Sequence, residues 1–471
     1  MSENRLSRRH FLKHTCMGLG AAAMMSGFNR FSRISALAAQ AQDDNAASDY
    51  KALVCIFLFG GIDMNNVVIP YDNYADYVKV RPTSGIGIPQ ASLLQVQPPS
   101  QTGLKYGFNP NLSPEIGNAA LTPGLLPLWQ QGKLAVLCNV GTLIQPLTRG
   151  QFLAGSVVGA RPDNLFSHSD QQEQWQSSTS ANTKAQQLTG WGGRVADHTA
   201  SLNGTTSFPM IVSTGGITLF TTGQTSTPLV PSSGLRGFSS NLNNDARYQA
   251  MRQLMNFDRG AALVDSASRT MTSAIDNTAL FNNATASGSV TTPFPNTSLG
   301  NQLKTVANAI KARSLLGVSR QIFFVSYGGW DTHNNEIGVH NNQLPQVAQA
   351  MYAFYKATEE IGVANAVTAF TLSDFSRTFQ PASGGGTDHA WGSHHLVLGG
   401  SVRGGDFHGK FPNLALSGPD DSSDEGRWIP TTSVDQYAAT LAQWYGLSSS
   451  DMPLVFPNLG RFVTPNLGFL M

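Results

Sequence analysis

The sequence predicts an α/β fold, a three-layer sandwich with a largely parallel central sheet, helices on both faces and an inserted Ser/Thr/Gly-rich region. Three observations predict it. Unbroken apolar runs of strand length, ALVCIFLF (52–59), QIFFVSY (321–327) and AVTAFTL (366–372), read as strands buried on both faces, which is the habit of parallel sheets. Helical stretches precede the second and third runs, an alternation that right-handed crossovers produce. Each run then breaks into a Gly- or Ser-marked loop carrying an acid, and in such sheets ligands bind beyond the carboxyl ends of the strands.

In chain order, residues 1–41 stand apart. Ser7-Arg8-Arg9-His10-Phe11-Leu12-Lys13, followed by the weakly apolar CMGLGAAAMMSGF (16–28), reads as a twin-arginine export signal. Ala36-Leu37-Ala38 and Ala39-Gln40-Ala41 offer cleavage sites. The expected partner in export is the twin-arginine translocase, and the expected location is periplasmic or otherwise exported. Residues 42–471 then form one domain.

The 471 residues carry 30 basic and 29 acidic side chains; without residues 1–41, 24 and 28 remain, a net charge of −4. That balance, with no basic run, excludes nucleic acid or an anionic membrane as the main partner. No further stretch is long and apolar enough to span a bilayer.

The strand at 52–59 leads into Gly60-Gly61-Ile62-Asp63-Met64-Asn65-Asn66 and then VVIPY (67–71). Residues 81–114, dense in Pro, Gly and Gln, read as surface loops with short helical pieces. LLPLWQQGKLAVLCNVG (125–141) reads as a helix closed by Gly132 and a buried strand over 134–140. Cys55 and Cys138 fall in core strands and are expected as free thiols. Ser167-His168-Ser169-Asp170 precedes a polar helical stretch, QQEQWQ (171–176).

Residues 204–300 form an insertion or cap. Within it Tyr248, Met251, Leu254, Met255 and Phe257 keep near-helical spacing in a block over 244–275. Helices near 300–316 and 343–361 feed the second and third runs. The tail adds a strand, HLVLGG (395–400), and a helix over 433–446.

The strand-exit acids propose a metal site. Asp331 and His333 lie two apart in a tight loop, and Asp388-His389 lies between glycines. Mixed O and N donors suit one or two ions of zinc, manganese or iron better than magnesium or calcium. Asp63 and Asp374 complete the expected ligands: Asp63, Asp331, His333, Asp374, Asp388 and His389, with Asp388 ligating directly or orienting His389. Arg377 either binds an anionic substrate or pairs with a carboxylate. Ser167, at the start of a helix, is the candidate nucleophile, its ordinary alternative being an N-cap. His168 is a further possible ligand.

LVCIFLFGGIDMNNVVIPY, GKLAVLCNVG, TGWGGRVAD, GGWDTHNNE and LSDFSRTFQPASGGGTDHAWGSHHLVLGGSVRGGDFHGKFP together resemble the twin-arginine-exported family of domain of unknown function 1501. That family in turn resembles the alkaline phosphatase and sulfatase superfamily, which implies an alkaline-phosphatase-like fold. By that resemblance Asp63 matches the first metal aspartate, Asp331 and His333 the mid-chain ligands, and Asp374 the acid of a Ser-Asp-His-Gly signature. His389 matches the last histidine before a core strand; an alternative alignment puts Asp388-His389 on the signature. Phe375 stands where that superfamily has a metal-binding histidine, which puts a second ion in doubt. No Cys-x-Pro-x-Arg occurs, which argues against formylglycine sulfatase chemistry. The expectation is an exported metal-dependent hydrolase of a phosphate or related anionic ester. Its alternative is a non-catalytic periplasmic binding or assembly protein that keeps the fold.

Overall fold

The computed structural model describes residues 49–115, 123–179, 188–232, 238, 244–255, 257 and 261–471. The export signal expected over residues 1–41 lies outside the described residues. Among those described, eight strands form the main sheet: β1 (Lys51–Phe59), β2 (Leu134–Gly141), β3 (Ile211–Ser213), β4 (Arg320–Gly328), β5 (Val367–Ser373), β6 (Ser393–Gly399), β7 (Phe407–His408) and β8 (Thr432–Ser433). Their spatial order is β7-β2-β6-β5-β1-β4-β3, with β8 also pairing with β2. Each pairing is parallel except those of β6, which runs against both β2 and β5. The fold is mixed α/β with a mostly parallel central sheet.

The helices that matter most for the site pack on the two faces of the sheet: α1 (His168–Ser177), α2 (Trp191–Thr199), α3 (Ser298–Lys311), α4 (Glu336–Glu360) and α5 (Val434–Tyr445). Alternation along β1 sends successive side chains to opposite faces. Ala52, Val54, Ile56 and Leu58 join Leu303, Val306 and Ile310 of α3 and Val347 and Phe354 of α4. Leu53, Cys55 and Phe57 join Trp175 of α1, Trp191 and Val195 of α2, and Tyr437 and Leu441 of α5. Each large side chain so buried contributes about 1.5–3 kcal/mol. Cys55 and Cys138 are buried free thiols. No helix among the described residues is long and apolar enough to cross a membrane.

Three features differ from the sequence reading. Residues 81–114 hold the strands Leu94–Val96 and Tyr106–Phe108, which form a separate antiparallel sheet with Val68–Pro70. Strands of three residues are too short to show alternation. The 204–300 stretch is not wholly an addition, because β3 lies within it and pairs with β4. Helix α4 begins at Glu336 rather than near 343, since Gly338 and the internal Pro345 read as breakers that the packed helix tolerates.

The topology brings the site together. β1, β4 and β5 are parallel and in register, with Phe59 opposite Gly328 and Leu58 opposite Ser373, so their exits line one edge. β6 runs the other way and therefore starts at that same edge, and the segment entering it carries Asp388 and His389.

His394 and His395 of β6 are buried, and His394 Nδ1 accepts the Asn139 N–H at 3.3 Å. Burial pushes both imidazoles down to about 3. In the unfolded chain they titrate near 6.5, so below that pH the unfolded state takes up protons that the folded state refuses. Their contribution is fully present above about pH 6.5 and is lost as pH falls toward 3. At about pH 5 the loss is roughly 2 kcal/mol per histidine. Urea unfolding near neutral pH and near pH 5 measures it, and His395→Gln is expected to remove about half of the difference that the pair causes. An unaltered pH dependence in that variant rules out His395 as a source.

Candidate metal centre

Four side chains converge at the strand-exit edge: His168, the first residue of α1; Asp331 and His333, after β4; and His389, before β6. Asp331 Oδ2 lies 3.3 Å from His168 Nε2, while its Oδ1 lies 3.1 Å from His333 Nε2 and 3.3 Å from His389 Nε2. The His333 and His389 Nε2 atoms are 3.0 Å apart. Donors around a tetrahedral ion with bonds of about 2.0–2.1 Å stand about 3.3–3.4 Å from one another. The observed separations are close to that edge length. Two overlapping triads share His389, the second formed with His333 and Asp388.

Two of the three imidazoles are held from behind. His389 Nδ1 donates to the Phe166 carbonyl at 2.7 Å, and His168 Nδ1 to Asp374 Oδ2 at 2.7 Å. A neutral imidazole whose Nδ1 carries the proton presents a bare lone pair at Nε2, as metal-binding histidines do. His168 Nε2 is buried without a hydrogen bond and faces the Asp331 carboxylate. With its proton on Nδ1, the ring would set a lone pair against the Asp331 carboxylate, an arrangement that a cation between them satisfies. The residues fit a transition ion.

Charge supports the same reading. Burial opposes ionisation of Asp331, but Arg377 and then His333 and His168 outweigh it and hold the carboxyl below its ordinary range. Burial lowers His389, partly offset by its bond to Phe166, so the ring stays neutral near pH 7. Phe166 reaches its position with φ of 75°, a region that bulky residues avoid. Arg427 lies 4.9 Å above its ring.

Asp374, expected as a ligand, has both oxygens in hydrogen bonds within the protein. Its Oδ1 accepts the Gly60 N–H at 3.1 Å and its Oδ2 accepts His168 Nδ1 and Gln172 Nε2, each at 2.7 Å. Asp388 takes the outer role: Oδ1 lies 3.8 Å from His333 Nδ1 and accepts the His389 N–H at 2.8 Å, while Oδ2 pairs with Arg427 at 3.1 Å. Arg377, proposed as catalytic, is buried and commits its guanidinium to Asp331 Oδ1 at 2.7 Å, the Thr387 carbonyl at 2.5 Å and Thr387 Oγ1 at 3.2 Å. It steadies the Asp331 carboxylate. Phe375 packs against both His168 and His389, with ring centroids 4.8 and 4.6 Å away.

Asp63 is not brought into the cluster. It is fully buried and pairs with Arg81 Nη1 at 2.5 Å, while Arg81 also donates to the Phe379 and Thr378 carbonyls. Burial works against its charge, yet Arg81, a bond from Glu336 and His340 together hold the carboxyl below its ordinary range. A carboxylate so neutralised has a structural partner already. Ser167 occupies the N-cap position of α1 without making a cap bond; its hydroxyl donates to Asp170 Oδ2 at 2.5 Å and lies 3.2 Å from Ser169 Oγ. Those bonds stay within residues 167–170 and hand it no histidine base.

Sequence reasoning missed Arg81, Glu336, Gln172 and the Phe166 carbonyl. The glycine triplet before Asp388 was a usable signal: a Cβ on Gly386 would sit 2.1 Å from the His333 carbonyl carbon. The loops that carry His333 and His389 touch there, backbone to backbone.

Asp331, His333 and Asp388 are each roughly half exposed, so the cluster opens to solvent. Four donors close a tetrahedron, so the cluster can hold an ion and admits a small ligand either as a fifth ligand or in place of one of the exposed donors.

No curated protein matches the chain. Among solved structures it is similar to Ps i-CgsB in complex with k-i-k-neocarrahexaose, at 8% identity and a TM-score of 0.29, covering 87% of this chain and 77% of that one. It is also similar to the PsFucS1 sulfatase from Pseudoalteromonas sp., at 10% identity and a TM-score of 0.28, covering 89% and 72%. Likeness at these scores is too weak to assign a fold or an activity. The family pattern described as "Protein of unknown function (DUF1501)" matches residues 50–424, and the chain belongs to that family.

Proposed function

We propose that the protein is an exported metal-dependent hydrolase of a phosphate or related anionic ester, built on an alkaline-phosphatase-like core. One divalent ion, Zn, Mn or Fe, is held by His168, His333, His389 and Asp331. The observation that carries this reading is the convergence of three Nε2 atoms on one carboxylate, with His168 and His389 tied through Nδ1. Three nitrogens and one oxygen suit these ions over magnesium or calcium. When bound, such an ion acidifies a water molecule and polarises an ester oxygen. The chain's own residues orient and insulate: Asp374 and Phe166 fix two imidazoles, Arg377 fixes Asp331, and Phe375 closes the apolar side. The arginine-pair motif in residues 1–41 supports export through the twin-arginine translocase as a periplasmic protein, with residues 42–471 as one domain.

Protein lacking residues 1–41, loaded with metal and desalted, is expected to retain about one equivalent of Zn, Mn or Fe by mass spectrometry. It is expected to hydrolyse an aryl phosphate or phosphodiester, and Asp331→Asn to abolish both properties. Retention of less than about a tenth of an equivalent of any of the three ions ends the proposal.

One observation favours the second reading, a non-catalytic periplasmic binding or assembly role. Both arginines beside the cluster are committed, Arg377 to Asp331 and Arg427 to Asp388 and Glu425. An anionic ester would meet the ion's charge with little further help. Metal retained without turnover on phosphate, phosphodiester and sulfate esters selects that role.

A further inference from the structure

Behind the cluster lies a buried acid that touches none of the four donors and yet joins the two loops that carry three of them. Glu336, the first residue of α4, is fully buried. Its N–H donates to the Gly385 carbonyl at 2.9 Å, and the neighbouring Asn335 N–H donates to Gly384 at 3.3 Å. Its Oε2 accepts the Thr387 hydroxyl at 2.7 Å, and its Oε1 accepts Asn66 Nδ2 at 2.8 Å. Thr387 in turn donates its N–H to the Thr332 carbonyl at 2.9 Å and accepts Arg377 Nε at 3.2 Å. Arg377 holds Asp331.

We propose that Glu336 is a positioning residue for the metal centre, locking the Asp331/His333 loop to the Asp388/His389 loop through Thr387 and Arg377. This inference rests on the metal reading given above. The chain of contacts runs Asn66, Glu336, Thr387, Arg377, Asp331, every link a hydrogen bond, with the first four residues buried and only Asp331 reaching solvent. Glu336 does this as a neutral acid. Two carboxylates, Asp63 and Glu336, share one buried site with a single guanidinium, Arg81, and only one of them can ionise cheaply there. Asp63 holds the ion pair. Burial and then the Asp63 charge push the Glu336 carboxyl well above its ordinary range, with Arg81 offsetting only part.

Loss of an outer hydrogen-bonding partner lowers metal affinity by about 10- to 100-fold in characterised sites. Zinc affinity by chelator competition and the visible spectrum of the Co(II)-loaded protein read the lock without any assay of turnover. Glu336→Ala is expected to weaken zinc by at least about tenfold and to shift the cobalt bands, whereas Glu336→Gln, neutral and isosteric, stays within about threefold of wild type. Wild-type affinity and spectrum in Glu336→Ala overturn the proposal; so does Glu336→Gln behaving like Glu336→Ala. If Glu336→Ala does not fold, Thr387→Val, which removes only the bridging hydroxyl, is expected to give the same loss, and unaltered zinc affinity in it is equally fatal. A wild-type protein that binds no metal brings down the centre itself, while a metal-binding wild type with an indifferent Glu336 brings down only the lock.

Discussion

Replacing His168 by alanine lowers the zinc affinity of the folded protein by more than about 100-fold, while Asp374→Asn lowers it by only about tenfold. The order follows from the geometry. His168 points its Nε2 at Asp331, whereas both Asp374 oxygens already accept hydrogen bonds, from Gly60, His168 and Gln172. Asparagine at 374 still offers one oxygen to His168 Nδ1, so the ring keeps its direction, while the amide nitrogen gives up the bond from the Gly60 N–H and the charge behind the ring is lost. Alanine at 168 removes a donor that no neighbour replaces, because Phe375 fills the adjacent space. Reading Asp374 as a ligand makes the opposite forecast, a severe loss in Asp374→Asn and a mild one in His168→Ala. Competition titrations on the two variants, each checked for cooperative unfolding, separate the two donor sets.

That contrast shows what strand-exit reasoning can and cannot see. The apolar runs identify β1, β4 and β5, and their parallel register places Asp331 and His333 at the edge where His389 also arrives. So much follows from local composition and one topological rule. Whether a carboxylate at that edge has a free oxygen depends on partners elsewhere in the chain. Asp374 is filled by Gly60 and Gln172, residues 314 and 202 positions away. For Arg377 the sequence leaves substrate binding and carboxylate pairing both open, and the bonds to Asp331 and Thr387 use its donors in the second way. His168 opens a polar helix rather than closing an apolar strand, so no strand-exit rule points to it. Its ring gains meaning only from Asp374 behind it.

Asp63 is the sharpest instance, and it supports the second large effect. Asp63→Asn destabilises the metal-free protein by about 2 kcal/mol or more, and the double variant Asp63→Asn/Glu336→Gln by about 3–5 kcal/mol, while Glu336→Gln alone is nearly neutral. Arg81 is wholly buried, with Asp63 as its ion-pair partner and two loop carbonyls as further acceptors. Removing the charge of Asp63 leaves the guanidinium uncompensated, a loss that costs about 3–5 kcal/mol when nothing else responds. Here something responds. Glu336 is kept neutral by burial and by Asp63 itself, so once Asp63 is amidated the Glu336 carboxyl can ionise and take over as counter-charge. That rescue is absent from the double variant, and the shortfall appears as non-additivity of about 1 kcal/mol or more. Urea unfolding of the metal-free wild type, the two single variants and the double variant completes the cycle. Were Asp63 a metal ligand, Asp63→Asn would leave metal-free stability unaltered and lose the ion; additive effects across the cycle, or an unaltered metal-free protein, would remove Asp63 from this buried network.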